Sequence, residues 1–375
     1  MIRLAVRCAR VARHIGTAAV LSMLLVSGAA FAEGSFAEAR NIIADMQRIV
    51  TPNGVQETFA ARIGGIDQWI SVRGRDRNNP VLLFVHGGPA SPAMPVAWTF
   101  QRPWEEYFTV VQWDQRAAGK TYQANDPDEV APTIRIERFV ADTLEVIDLL
   151  RARYGKRKVI LVGHSWGTII ALQAAIERPK WIHAYIGIGQ VISVNENERI
   201  GYEYALSTAR AEGNDVAVRE LEAIAPYPGE APLTRERIIQ QRKWAQHYGG
   251  LSAYRNDSTY YFRAPRLSPE YGAEDVAAID KGNVLTLGRI LEQWMAVDFR
   301  QVKEVAFPVV MFLGRHDYTT PSEPTAQWLQ QVSAPAKRAV WFEDSSHLIP
   351  IEEPGKVLMT LVQHVRPLAE TRPGE

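Results

Sequence analysis

Val159-Ile160-Leu161-Val162-Gly163-His164-Ser165-Trp166-Gly167-Thr168 is the stretch on which the reading of the fold turns. Four apolar residues make a run of strand length, and helix-forming sequence follows from Thr168 to Arg178. Between them stands a serine with a glycine two residues to either side. Glycines in those positions let the chain make a tight, strained turn that leaves a hydroxyl exposed at the end of a strand. The apolar run is continuous rather than alternating, which predicts a strand covered on both faces, as in a parallel sheet between helices.

The same pattern recurs in both directions. Upstream, Val81–Val85 and Phe108–Trp113 are continuous apolar runs, and Val55–Arg62 and Ile66–Arg73 read as two strands joined at Gly64-Gly65. Phe36–Val50 is predicted to be a short helix stopped by Thr51-Pro52-Asn53-Gly54. Ile136–Tyr154 is predicted to be a long one, with Phe139, Val140, Leu144, Val146, Ile147 and Leu150 at helical spacing and Gly155 as its cap. Downstream come a strand at Trp181–Ile188, then Val309–Leu313, a helix at Glu323–Val332, a strand at Arg338–Phe342 and a last helix at Val357–Val365. Strand–helix alternation on both sides of an interruption predicts one α/β domain with a doubly wound, mostly parallel sheet, built from residues 33–189 and 301–375. The interruption, residues 190–300, carries helix formers and many aromatics but no strand-length apolar run, and is expected to form a helical cap over the strand ends.

Residues 1–32 stand apart. Arg3, Arg7, Arg10 and Arg13 come without an acidic residue, an apolar stretch runs from Ile15, and Ala30-Phe31-Ala32 closes it with small residues. That order is expected of a signal peptide, and hence of an exported protein, periplasmic or secreted and bacterial in type. The alternative is a retained membrane segment, for which 18 weakly apolar residues are marginal. The chain holds 42 Lys plus Arg against 42 Asp plus Glu; without the four arginines the basic count falls to 38, a mildly acidic mature protein. Such a balance argues against nucleic acid as a partner. The only cysteine, Cys8, lies inside the leader, so a mature chain would have no thiol for disulfide, nucleophile or metal site. No further apolar run suits a membrane span, and no phosphate-binding loop or metal-ligand spacing is present, so no cofactor is expected.

A serine hydroxyl is a weak nucleophile and needs a base that is itself held by a third group. In a sheet of this type those groups belong on loops at strand C-termini, in the chain order Ser, acid, His. His347 lies in the polar loop after Arg338–Phe342, and Asp317 in the loop Gly314-Arg315-His316-Asp317 after Val309–Leu313. Ser165, Asp317 and His347 are therefore the candidate nucleophile, acid and base. Asp344, three residues before His347, is the rival acid. Charge developing on an attacked carbonyl oxygen needs donors, expected from the backbone N–H of Trp166 and from Gly88 in His86-Gly87-Gly88-Pro89.

His86-Gly87-Gly88-Pro89, Trp113-Asp114-Gln115-Arg116, Gly163-His164-Ser165-Trp166-Gly167, Gly314-Arg315-His316-Asp317 and Ser346-His347 together resemble the proline iminopeptidase (prolyl aminopeptidase) branch of the α/β-hydrolases. The resemblance covers roughly residues 55–190 and 300–366, the sheet but not the insertion. It departs from the family pattern at Ala90 and Ala117, where glycine is usual, and at Gly119-Lys120-Thr121. It implies hydrolysis of a small peptide or amide through an acyl-enzyme under a helical cap, with Asp114 and Arg116 bracing the oxyanion loop. It further implies that cap carboxylates hold the substrate's free amine. Glu196, Glu198 and Glu203 are the candidates, with Asp298 near the end of the cap, although their spacing suits an exposed helix face equally well. An esterase or amidase acting on a neutral small molecule is the alternative, with an aromatic pocket from Trp244, Tyr254, Tyr260 and Tyr261. A binding protein on a retired hydrolase fold is a third reading, in which Ser165 would ignore a fluorophosphonate.

Overall fold

The computed structural model describes residues 36–229 and 233–370. The expected signal peptide, residues 1–32, lies outside the described residues.

Eight strands form one sheet: β1 (Val55–Ile63), β2 (Ile66–Gly74), β3 (Val81–Val85), β4 (Thr109–Trp113), β5 (Val159–His164), β6 (Ile182–Ile188), β7 (Val309–Gly314) and β8 (Lys337–Phe342). Their spatial order is β1-β2-β4-β3-β5-β6-β7-β8. β1 and β2 pair antiparallel, as do β2 and β4, while every pair from β4 through β8 is parallel. The burial of each strand follows its place. All five residues of β3 and of β4 are buried, whereas β1 alternates and the edge strand β8 leaves its first three residues exposed. Continuous apolar runs thus mark the strands with helices on both faces.

The helix Ile136–Tyr154 occupies the predicted residues and ends at Gly155, whose φ of 62° is the left-handed cap that glycine takes without a Cβ penalty. Its apolar stripe, with Phe139, Ile147 and Leu150, packs together with Trp166 and Ile170 into the core on one face of the sheet. Phe84, Phe100, Trp104, Phe312 and Phe342 fill the other face. Each such side chain removed from water contributes on the order of 2 kcal/mol to folding, so these two layers fix the strand ends rigidly.

Between β6 and β7 the described chain is helical, with Val194–Ala211, Asp215–Glu222, Arg235–His247, Thr259–Arg263 and Ala273–Met295 as its α-helices. These helices carry their own apolar cluster around Tyr202, Leu221, Tyr227, Trp244 and Leu287. The aromatics of this segment therefore spend much of their area holding the helices together. Among the described residues no helix is long and apolar enough to cross a membrane.

Candidate active site

β5 delivers Ser165 with φ 54° and ψ −125°, a conformation unfavourable for any residue with a Cβ. Three contacts hold it there. Ser165 N–H donates to Ile188 O at 3.0 Å, and its carbonyl accepts from Thr168 N at 2.9 Å and from Thr168 Oγ1 at 2.6 Å. Gly163 and Gly167 do not carry the positive φ themselves; they make room. A Cβ on Gly167 would stand 2.1 Å from Val85 O, and one on Gly163 2.7 Å from Thr168 Cα. The serine bears the strain and the glycines allow strand and helix to close on it.

His347 Nδ1 donates to Asp317 Oδ2 at 2.8 Å, and both side chains are buried. Asp317 is held by its own loop, since Oδ1 accepts from Thr319 N at 2.9 Å and Thr320 N at 2.7 Å, and Oδ2 accepts from Thr320 Oγ1 at 2.9 Å. With Nδ1 committed to the carboxylate, Nε2 is the nitrogen left to take a proton. The backbone carbonyl of His347 lies 3.1 Å from His164 Nε2, so the histidine loop rests on the residue preceding the serine. No hydrogen bond joins Ser165 Oγ to the His347 ring among the described residues. Catalytic contacts of this kind commonly tighten only with substrate bound. Asp344 is exposed and accepts from Tyr254 OH at 3.1 Å, away from the imidazole. His164 is pushed down to about 3, first by burial and then by the neighbouring His347, and so stays neutral beside it.

Gly88, with φ 118°, and Ser165 line the same cavity, and the N–H of Trp166 opens the helix Trp166–Glu177 next to the serine. A helix N-terminus favours developing negative charge. The loop bearing Gly88 is not braced as the resemblance implied. Gln115 does this work: its Nε2 donates to His86 O at 2.8 Å, its N–H to His86 Nε2 at 3.2 Å, and its Oε1 accepts from Trp166 Nε1 at 3.1 Å. One side chain thus ties the carbonyl two residues before Gly88 to the indole of Trp166. His86 has its other nitrogen on Gly87 O at 2.9 Å, and burial pushes it down to about 4, so it is a neutral structural group rather than a base.

Asp114 and Arg116 face elsewhere. Arg116 is fully buried against Asp142 at 3.0 Å and donates to Gly64 O at 2.8 Å, which fastens the β1–β2 turn to the helix Ile136–Tyr154. Asp114 accepts from Tyr271 OH and, at 2.9 Å, from Lys120 N; burial, the largest influence on it, raises it to about 7. Tyr271 belongs to the inserted segment, so Asp114 couples that segment to the sheet. Asn283 on the helix Ala273–Met295 adds a second tie, donating to Pro89 O at 2.8 Å.

The cavity above Ser165 measures about 550 Å³. Of the three carboxylates expected to meet there, only Glu198 lines it, along with Asn197, Arg242 and Trp294. Glu203 is exposed and pairs with Arg199 at 2.7 Å, one helical turn away. Glu196 faces Arg300 at 4.0 Å in a separate groove, and Asp298 also pairs with Arg300. Helical geometry explains part of the division: position 198 faces away from 196 around Val194–Ala211, while 203, seven residues on, returns to the face of 196 about two turns further along the helix. Glu198 itself is 0% exposed, and its oxygens accept from Tyr227 OH and from the Arg242 guanidinium. The aromatic lining also differs from expectation. Tyr261 lines the cavity, joined by Phe262 and Trp294, whereas Trp244 is buried in the helical cluster and Tyr254 is exposed.

A sequence profile described as the alpha/beta hydrolase family matches residues 82–360. The probable aminopeptidase YbaC of Bacillus subtilis is 30% identical over 307 residues, which span 81% of this chain and 94% of that protein. A proline iminopeptidase of Heyndrickxia coagulans is 24% identical, covering 75% of this chain and 88% of its own length. Among solved structures, a proline iminopeptidase-related protein of Thermus thermophilus superposes with a TM-score of 0.60 at 19% identity, over 84% of this chain and 99% of that one.

Proposed function

Because the chain belongs to the alpha/beta hydrolase family, in its proline iminopeptidase-like branch, we propose that it is an exported serine hydrolase that releases the N-terminal residue, proline favoured, from small peptides. The observation that carries the catalytic half of this reading is the His347 Nδ1 contact with Asp317 at 2.8 Å, on loops that converge on the strained Ser165 at the floor of the cavity.

In the proposed reaction Ser165 Oγ attacks the scissile carbonyl carbon while its proton passes to His347 Nε2. Asp317 offsets the imidazolium charge, and the backbone N–H groups of Gly88 and Trp166 take the oxyanion. Collapse breaks the C–N bond, with His347 returning the proton to the departing amine. Water, deprotonated by the same imidazole, then attacks the acyl-enzyme, and Ser165 leaves with that proton. The relatives named as aminopeptidases support the amino-terminal half of the reading. Export rests on the Arg-rich, apolar and small-residue order of residues 1–32.

A specific observation favours a second reading, an esterase or amidase for neutral substrates: Glu198 is already compensated by Arg242 and Tyr227. The test uses protein from Glu33 onward beside Ser165→Ala, with a proline amide, an alanine amide and a short-chain ester. Proline-amide cleavage abolished by Ser165→Ala supports the aminopeptidase. Ester cleavage alone, equally dependent on Ser165, moves the function to the second reading, and activity surviving Ser165→Ala refutes both.

A further inference from the structure

Asn197 lines the cavity above Ser165, next to Glu198 in the chain. It is 3% exposed, and among the described residues neither Oδ1 nor Nδ2 has a hydrogen-bond partner. A buried primary amide with neither its acceptor nor its donors satisfied is rare in folded proteins, and one at the wall of a binding cavity calls for a partner that arrives with the ligand. Its neighbours are differently placed. Glu198 and Arg242 neutralise each other, and Asn283, also in the lining, has its amide nitrogen committed to Pro89 O at 2.8 Å.

Building on the aminopeptidase reading, we propose that Asn197, rather than the already paired Glu198, is the side chain that recognises the free α-amine of the substrate residue to be released. The amide oxygen accepts a hydrogen bond from the ammonium, while the charged residues of the wall pair off, Glu198 with Arg242 and Asp280 with Arg235 at 3.6 Å, and leave it neutral overall. Recognition by a dipole fits the site: an amine can be held without being trapped as a tight ion pair, and the product amino acid can leave. Asn197 is a specificity residue here and takes no part in proton transfer.

The test compares wild type, Asn197→Ala and Asn197→Asp on three substrates: alanine p-nitroanilide, its N-acetylated form and p-nitrophenyl butyrate. Asn197→Ala is expected to raise KM for the free-amine anilide about tenfold or more, the size of one substrate hydrogen bond, with kcat/KM for the butyrate unchanged within about twofold. Asn197→Asp keeps an oxygen acceptor in the same place and is expected to restore the anilide KM. An equal loss on anilide and butyrate would mean a structural role and overturn the assignment. So would an unchanged anilide KM in Asn197→Ala, or failure of the aspartate to restore it. Wild type that cleaves the butyrate through Ser165 but neither anilide removes the aminopeptidase reading itself, and Asn197's role with it. Wild type that cleaves the free-amine anilide while Asn197→Ala is indifferent removes only the latter.

Discussion

Replacing Gln115 by leucine tests whether one buried amide aligns the two proposed oxyanion donors. Leucine nearly fills the volume but strands two polar groups, the carbonyl of His86 that Gln115 Nε2 now meets at 2.8 Å and the indole N–H of Trp166 now at 3.1 Å. Both residues are buried, so each stranded group costs about 1–3 kcal/mol and the variant should lose roughly 2–6 kcal/mol of stability. Gly88 sits two residues beyond that carbonyl, and Trp166 supplies the other N–H. Losing an oxyanion donor outright costs about 10²–10³ in kcat, so donors that remain but are poorly aimed should cost about tenfold to a hundredfold, with KM little changed. The assay is kcat and KM per active site, the sites counted with a fluorophosphonate, alongside urea unfolding. Arg116→Met is the comparison. It removes one of the two guanidinium partners of the buried Asp142 carboxylate and leaves Arg138 at 2.7 Å, an expected loss of about 1–3 kcal/mol, with kcat per folded site held within about twofold. Unchanged kcat in Gln115→Leu, or an equal fall in Arg116→Met, would refute the bracing role assigned to Gln115.

Asp317→Asn should fold normally yet lower kcat by about 10⁴, because an amide neither fixes the imidazole tautomer nor offsets its charge; near-normal turnover would point to another acid. Gly167→Ala should fail to yield folded enzyme, since its Cβ would meet Val85 O at 2.1 Å, and a soluble variant with a wild-type melting temperature would contradict the packing. Burial, with Lys158 and Lys156 adding to it, lowers His183 from 6.5 to about 4. The unfolded chain therefore takes up a proton there that the folded chain refuses, and the stabilising contribution, complete above pH 6.5, is lost as pH falls toward 4. Urea unfolding of His183→Gln should show a shallower decline across that window; an unaltered decline would remove His183 as a cause. Asp114 runs the other way. Raised from 3.8 to about 7, it keeps its proton in the folded state while the unfolded state loses it, so its contribution is full below pH 3.8 and lost as pH rises through 7. Asp114→Asn, which can still accept from Tyr271 OH, should gain stability relative to wild type as pH rises from 4 to 8, and a constant difference across that range would refute the assignment.

Much of this molecule is written locally. Continuous apolar runs located the strands of the parallel sheet because a strand buried on both faces has no polar side to alternate with, and Ile136–Tyr154 was legible because its stripe and its glycine cap are properties of one helix. Ser165, Asp317 and His347 could be picked out as candidates for a related reason: sites in such sheets gather at strand C-termini, and strand ends can be found from hydrophobicity and turn residues alone. Other features depend on contacts between segments far apart in the chain. Around Val194–Ala211, rotation of the helix turns Glu198 into the cavity and leaves Glu196 and Glu203 on the other face, the first near Arg300 and the second in solvent, and the setting of Glu198 depends on where Arg242 and Tyr227 arrive from other parts of the insertion. Gln115 stood in plain view inside Trp113-Asp114-Gln115-Arg116, but its partners are a backbone carbonyl and an indole N–H 29 and 51 residues away, and backbone partners leave no trace in side-chain chemistry. Asn197 had no signal at all, since an asparagine without partners is recognised only when its surroundings are known. Sequence determines which segments carry apolar faces and reactive groups; the packing of the inserted helices on the sheet decides which polar groups are satisfied within the protein and which are left for a substrate.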